Sequence, residues 1–69
     1  MDMSKRLLVL RTEKKVRQED VARATGISLN GYKQVEHGDC SPTLKTLVAL
    51  ADYFNVSIDY IVGRAEDRK

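Results

Sequence analysis

Between residues 18 and 40 the chain gathers many of its side chains suited to directional contacts: Gln18, Asn30, Lys33, Gln34, His37, Asp39 and Cys40. The amides of Asn30 and Gln34 each carry a donor and an acceptor on one fork, which matches N6 and N7 of an adenine. Lys33 can reach guanine O6 and N7 or a phosphate, and Leu29 suits the methyl of a thymine. His37, Asp39 and Cys40 invite a different chemistry, since these residue types serve as nucleophiles and bases. They fall in one short polar stretch with no evident pocket or orienting scaffold, so no catalytic residue is expected and the chain is expected not to be an enzyme. Cys40 has no resolving partner or activating cluster, which makes redox sensing the weaker reading.

Presenting those amides on one side requires a helix from Leu29 to about His37. Tyr32 and Val35, at i and i+3, mark its buried side and leave Leu29, Asn30, Lys33, Gln34 and His37 outward. Ser28 stands where an N-cap hydroxyl belongs. The first turn and the next outward position then make Leu29, Asn30, Lys33 and Gln34 the base readers, while Ser28 and His37, at the helix ends, suit phosphates. Gly26 and Ile27 supply a turn able to reach φ > 0 and an apolar plug. Ahead of them, Gln18 to Thr25 reads as a shorter helix, with Glu19 and Asp20 at its positive end and Val21 and Ala22 inward. Two such helices across a glycine-containing turn form a helix-turn-helix, whose second helix can lie in a DNA major groove. Asn30-Gly31 alone is a hairpin signal, but its flanks are too short and Ser28, Tyr32 and Val35 agree on a capped helix. Gly31, with no side chain, either lets the helix sit close to the DNA backbone or is a tolerated helix weakness of ~1 kcal/mol, the second slightly favoured.

The remaining segments share the helical period. Met3, Leu7 and Leu10 form a stripe from Met3 to about Lys14, with Asp2 as its candidate cap. Leu8 and Val9 lie off that stripe, as a wider buried face, tolerated exposure or a contact surface. Pro42 with Thr43 or Ser41 opens a fourth helix whose buried stripe is Leu44, Leu47, Leu50, Ala51 and Phe54, with Val48 beside it. Asn55 ends it. Ser57 caps a fifth, in which Ile58, Ile61 and Val62 face inward before Gly63. Tyr53 and Tyr60 read as amphipathic surface or dimer contacts. The fold class is all-α, a compact five-helix bundle forming one domain over residues 1–69, with a core at 5–63 and a disordered polar tail at 64–69.

Sixty-nine residues bury only ~60% of the surface the unfolded chain exposes, so stability should be modest and oligomerisation would help. One cysteine excludes an internal disulfide framework, and a lone His and Cys without clustered ligands argue against a metal; no cofactor or small-molecule ligand is expected. No apolar run exceeds the four residues from Leu7 to Leu10, which argues against a membrane span or signal-peptide core and for a cytoplasmic protein. Twelve basic against 10 acidic side chains, a net +2, do not by themselves imply nucleic acid. The excess nevertheless lies wholly in residues 1–40, which hold 8 basic and 6 acidic side chains.

The stretch QEDVARATGISLNGYKQVEH resembles the helix-turn-helix of the Cro and phage-repressor family, also called the xenobiotic-response-element type. Gln18 matches the first position, Ala22 the close helix contact, Gly26 the turn, and Val35-Glu36 the end of the second helix. The likeness extends to RLLVLR upstream, to Gly38 and Pro42, and to LVALADYFNVSIDYIVG downstream, covering about residues 5 to 63. It implies that Arg11 pairs with Glu36 structurally, where the residues alone would also allow a phosphate contact. It also implies that the first helix of the pair aims its N-terminus at the DNA backbone, which makes Gln18, Arg17, Lys14 and Lys15 phosphate-binding candidates. Two departures stand out. Arg17 occupies the usual Ser or Thr cap position, so that cap comes from elsewhere or is missing. The loop after Gly38 is Asp39-Cys40-Ser41 where relatives are often basic, leaving the backbone N–H groups near Gly38 to meet phosphate.

The resemblance implies a sequence-specific regulator, a repressor, consisting of the binding domain alone and acting as a homodimer on a double-stranded DNA operator with two half-sites. Apolar residues around Ile58, Tyr60 and Val62, or Leu8 and Val9, are the candidate dimer surfaces, the first favoured. The competing expectation is an antitoxin or other protein-interaction module with secondary DNA binding, which a neighbouring toxin gene would favour.

Overall fold

A computed structural model of the chain describes residues 3–68. Its elements are α1 (Met3–Lys14), α2 (Gln18–Thr25), α3 (Leu29–His37), α4 (Leu44–Phe54) and α5 (Ile58–Ile61), and no strand occurs among the described residues. The all-α expectation holds, element by element. Asp2, the candidate cap of α1, lies outside the described residues.

Each boundary has a local cause. Lys15 closes α1 at φ 61, a left-handed conformation that is unfavourable for a residue with a Cβ, and the Val16 N–H returns to Arg11 O at 3.3 Å. Gly26 does the same for α2 at φ 76, where the Ile27 N–H reaches Ala22 O at 3.0 Å. Thr43 and Ser57 cap α4 and α5 through hydroxyls that accept from Thr46 N–H at 3.2 Å and Tyr60 N–H at 3.0 Å. The Arg17 side chain has no acceptor to offer α2. Half of the cap is recovered because Asp20 Oδ2 accepts from the Arg17 N–H at 2.9 Å.

The helices pack in a closed ring, α1 on α3, α3 on α2, α2 on α4, α4 on α5 and α5 back on α1. Leu7, Val21, Tyr32, Leu50 and Ile61, one from each helix, are fully buried at its centre. Removing any one helix would therefore expose the core contacts of two others.

Three expectations need correction. Leu44, expected in the buried stripe of α4, is 70% exposed, and Val48 beside it is also exposed. Leu44 has nearly the same angle on the helix as buried Ala51, but it is the first residue of α4, where no other helix covers it. Tyr60, expected at the surface, is 8% exposed, because the guanidinium carbon of Arg6 lies 4.3 Å from its ring centroid and that of Arg68 5.3 Å. The tail is not a free polar end through residue 68. Arg6 donates to Ala65 O at 2.6 Å, Ser57 N–H donates to Arg68 O at 2.6 Å, and Arg68 bridges Glu13. Lys69 lies outside the described residues.

Candidate nucleic-acid interface

Helix α3 is held as a rigid rod at both ends. Ser28 Oγ accepts from Gly31 N–H at 3.0 Å, and Gly38, at φ 91, turns the chain out of the helix. A Cβ on Gly31 would meet Ser28 Oγ at 2.9 Å and Ile27 Cγ2 at 3.3 Å. Gly31 is thus a close-approach residue beside the cap as well as a propensity weakness, a correction to the simpler expectation. Tyr32 and Val35 are buried, and Leu29, Asn30, Lys33, Gln34 and His37 are all exposed.

Buried charge anchors the far end of the rod. Arg11 Nε donates to both Glu36 oxygens at 3.1 and 3.0 Å, Nη2 donates to Oε1 at 2.9 Å, and Nη1 reaches Val16 O at 3.2 Å. The Glu36 side chain is 7% exposed and that of Arg11 21%. Arg11 therefore ties α1, the α1–α2 turn and α3 together, and the hydrogen bonds to Glu36 push its guanidinium pKa up. Burial pushes the Tyr32 phenol up, and the Glu36 carboxylate adds to this, so Tyr32 is neutral under physiological conditions. Its hydroxyl is buried without a hydrogen-bond partner among the described residues.

The N-terminus of α2 meets the outward face of α3 at Gln18. Gln18 and Lys33 border both a groove of about 560 Å³, shared with Leu8, Gln34, Glu36, His37 and Asp39, and a smaller one of about 250 Å³, shared with Arg17, Glu19 and Leu29. Of the four candidate base readers, Leu29, Lys33 and Gln34 line these grooves together, and Asn30 is exposed in the first turn of α3. Arg17 is exposed and pairs locally, with Nη1 3.0 Å from Glu19 Oε1. An exposed pair of this kind is weak and exchanges readily for another anion.

Other candidates are placed differently. Lys14 Nζ lies 5.0 Å from the Tyr53 ring centroid, and neither Lys14 nor Lys15 lines the grooves. The Gly38 N–H donates to Gln34 O at 3.1 Å and Val35 O at 3.2 Å, and the Asp39 N–H to Gln34 O at 2.9 Å. The expectation that these amides meet phosphate is corrected: at a helix C-terminus they point back into the helix and satisfy its last carbonyls. His37 Nδ1 lies 3.2 Å from Asp39 Oδ2, which places a carboxylate beside a candidate phosphate contact. Cys40 is exposed, with Sγ 3.8 Å from Ser41 O.

One expectation is narrowed and one contributor escaped the sequence. Leu8, left open as buried face, tolerated exposure or contact surface, is 46% exposed and forms an apolar wall of the larger groove. Arg6 is buried on the inward face of α1, and its spacing of three from Met3 and four from Leu10 was the signal there.

Among the described residues, no helix is long and apolar enough to cross a membrane. The chain matches a helix-turn-helix family model over residues 7–61. It is 36% identical over 63 residues to the cryptic phage CTXphi transcriptional repressor RstR of Vibrio cholerae, covering 91% of this chain and 57% of that protein. It is 39% identical over 62 residues to the uncharacterized HTH-type transcriptional regulator YobD of Bacillus subtilis, covering 90% and 55%. The chain thus spans about half the length of the curated relatives it matches. Among solved structures, the P22 c2 repressor protein in complex with synthetic operator 9T matches with a TM-score of 0.88 at 26% identity, covering 94% of this chain and 98% of that one. A transcriptional regulator from Listeria innocua shares the fold, with a TM-score of 0.85 at 24% identity over 96% of this chain and 62% of that one. From the capped α2–α3 pair, the Arg11–Glu36 anchor and a family match over most of its length, the chain belongs to the helix-turn-helix family of the Cro and phage-repressor type.

Proposed function

We propose that this protein is a sequence-specific DNA-binding transcriptional regulator, a repressor, that binds a two-half-site operator as a homodimer through the recognition helix Leu29–His37. The observation that carries the proposal is the α3 face: four exposed side chains of base-reading type, three of which border grooves with Gln18, in a fold matching a repressor protein solved with a synthetic operator. Leu29, Asn30, Lys33 and Gln34 read base edges. Gln18, Arg17 and Ser28 take phosphates around the N-termini of α2 and α3, where unsatisfied N–H groups favour anions. His37 takes a phosphate through a ring N–H, against the pull of Asp39. No catalytic step is assigned to the chain, and such a regulator works in the cytoplasm, where its DNA is.

Selection of bound duplexes from a random pool tests this directly. The expected result is an enriched site with two related half-sites about one helical turn apart, centre to centre, bound with two copies of the chain per duplex in sedimentation. A pool that stays random after repeated selection would overturn DNA binding, and one copy per duplex would overturn the homodimer.

A further inference from the structure

Arg6 is 3% exposed; the acceptors of its two Nη groups come from the C-terminal part of the chain, while its buried Nε has no hydrogen-bond partner among the described residues. Its Nη1 donates to Tyr60 O at 2.9 Å and to Ala65 O at 2.6 Å, and Nη2 lies 3.4 Å from Glu66 Oε1. Two turns further along α1, both Glu13 oxygens accept from Arg68, at 2.7 and 2.8 Å. Between these points Arg64 N–H and Ala65 N–H donate to Asp59 O at 2.8 and 3.2 Å, and Ser57 N–H donates to Arg68 O at 2.6 Å. Residues 64–68 therefore form a strap that leaves α5 at Gly63 and is fastened to α1 at two points about 10 Å apart.

The strap bears on α3 through α1. A buried guanidinium without acceptors is strongly unfavourable. Lifting the strap takes away Ala65 O and Glu66 and leaves Arg6 with Tyr60 O and the Tyr60 ring alone, which favours a shift of α1 or a swing of Arg6 towards water. The same helix carries Arg11, whose three bonds to Glu36 span only 2.9 to 3.1 Å and tolerate little displacement. We infer that residues 64–68 are a regulatory strap: seated, they hold α1 so that Arg11 anchors the recognition helix, and lifted, they loosen that anchor and weaken DNA binding. None of the strap residues lines the α2–α3 grooves. The effect on DNA rests on the proposed function, whereas the coupling to Arg11 does not.

The test uses the full chain carrying Arg68→Ala, which removes the Glu13 bridge. Hydrogen exchange at Arg11 Nε–H, followed by NMR, is expected to accelerate roughly three- to tenfold, and affinity for the selected duplex to fall by a similar factor, with helical circular dichroism unchanged. In an Arg6→Met background the same substitution is expected to change neither, because no buried cation then depends on the strap. Exchange at Ser57 N–H reports whether the strap has lifted. If it has not, Gly63→Val lifts it from the other end, since φ there is +86 and strained for any side chain. Free exchange at Ser57 with unchanged protection at Arg11 would overturn the coupling. Unchanged affinity despite a loosened Arg11 would overturn the link to DNA, and a parent chain that selects no duplex would defeat the proposed function while the Arg11 readout still decides the coupling.

Discussion

Gln18 and Gln34 carry the same amide, and both border the larger groove, yet their backbones give them different work. Gln34 stands in the second turn of α3, on its exposed face. Gln18 opens α2, beside N–H groups that favour phosphate. Gln34→Ala is therefore expected to cost ~1–3 kcal/mol on the selected operator and to relax choice at one base pair, whereas Gln18→Ala weakens all duplexes about equally. Titrations against the operator and its single-base variants separate the two, and a Gln34→Ala protein with affinity and preference intact would show that α3 does not read DNA as proposed. Arg11 belongs to the structural side of the ledger. Its removal leaves the Glu36 carboxylate, 7% exposed, without its bidentate partner, so Arg11→Ala should destabilise the fold by ~3 kcal/mol or more. A melting temperature lower by more than about 10 °C is the expected calorimetric result. Melting at the parental temperature with only DNA affinity lost would make Arg11 a phosphate contact instead.

At the scale of elements, α2 depends on a carboxylate for its cap. The Arg17 N–H holds the Asp20 carboxyl below its ordinary value of 3.8, with Arg17 and Arg23 contributing through their charge and burial opposing. Because the folded pKa is lowered, the stabilisation is fully present above the ordinary value and is lost as pH falls through the lowered one. Asp20→Asn should therefore flatten the acid limb of a stability–pH curve measured by urea unfolding below about pH 4; an acid limb as steep as the parent's would remove Asp20 from this role. The cap was only half legible, since Arg17 showed that a hydroxyl was missing but not that Asp20 answers it. The helices themselves were legible because each has a local mark: Ser28 and Gly38 bound α3, Thr43 and Asn55 bound α4, and an apolar stripe gives each its face. What escaped depends on distance in the chain. Periodicity gives Leu44 its angle but not the point where cover ends, and Tyr60 is buried by guanidiniums from residues 6 and 68 that no local pattern connects. Among the candidate site residues, Gly38 differs for the opposite reason: its role as a helix terminator is legible, but termination also consumes the Gly38 and Asp39 amides, two of those expected to meet phosphate.

For the whole molecule, a net charge of +2 would suggest feeble electrostatics, but phosphates meet local donors and not the total. Several of the acids are held in pairs or caps, Glu36 with Arg11, Glu13 with Arg68 and Asp20 with the α2 cap, although Glu36, Asp39 and Glu19 border the α2–α3 grooves. Arg68 also holds the Glu13 carboxyl below its ordinary range, which keeps that pair charged well into mild acid. Arg17 and Lys33 border the α2–α3 grooves and Lys15 lies exposed in the turn just before α2, Arg17 being held only by an exposed pair with Glu19 that a phosphate can replace. Two copies on one operator would then neutralise roughly six phosphates, and the logarithm of affinity should fall against the logarithm of salt concentration with a slope of about −5. Lys33 divides this number from the base-reading proposal. If it reaches guanine, Lys33→Ala changes preference at one base pair as well as the slope; if it meets only phosphate, the slope falls by about 1 per copy and preference stays the same. Binding measured from low to moderate salt settles the total, and an affinity that does not respond to salt would be incompatible with any role in which these side chains meet a DNA backbone.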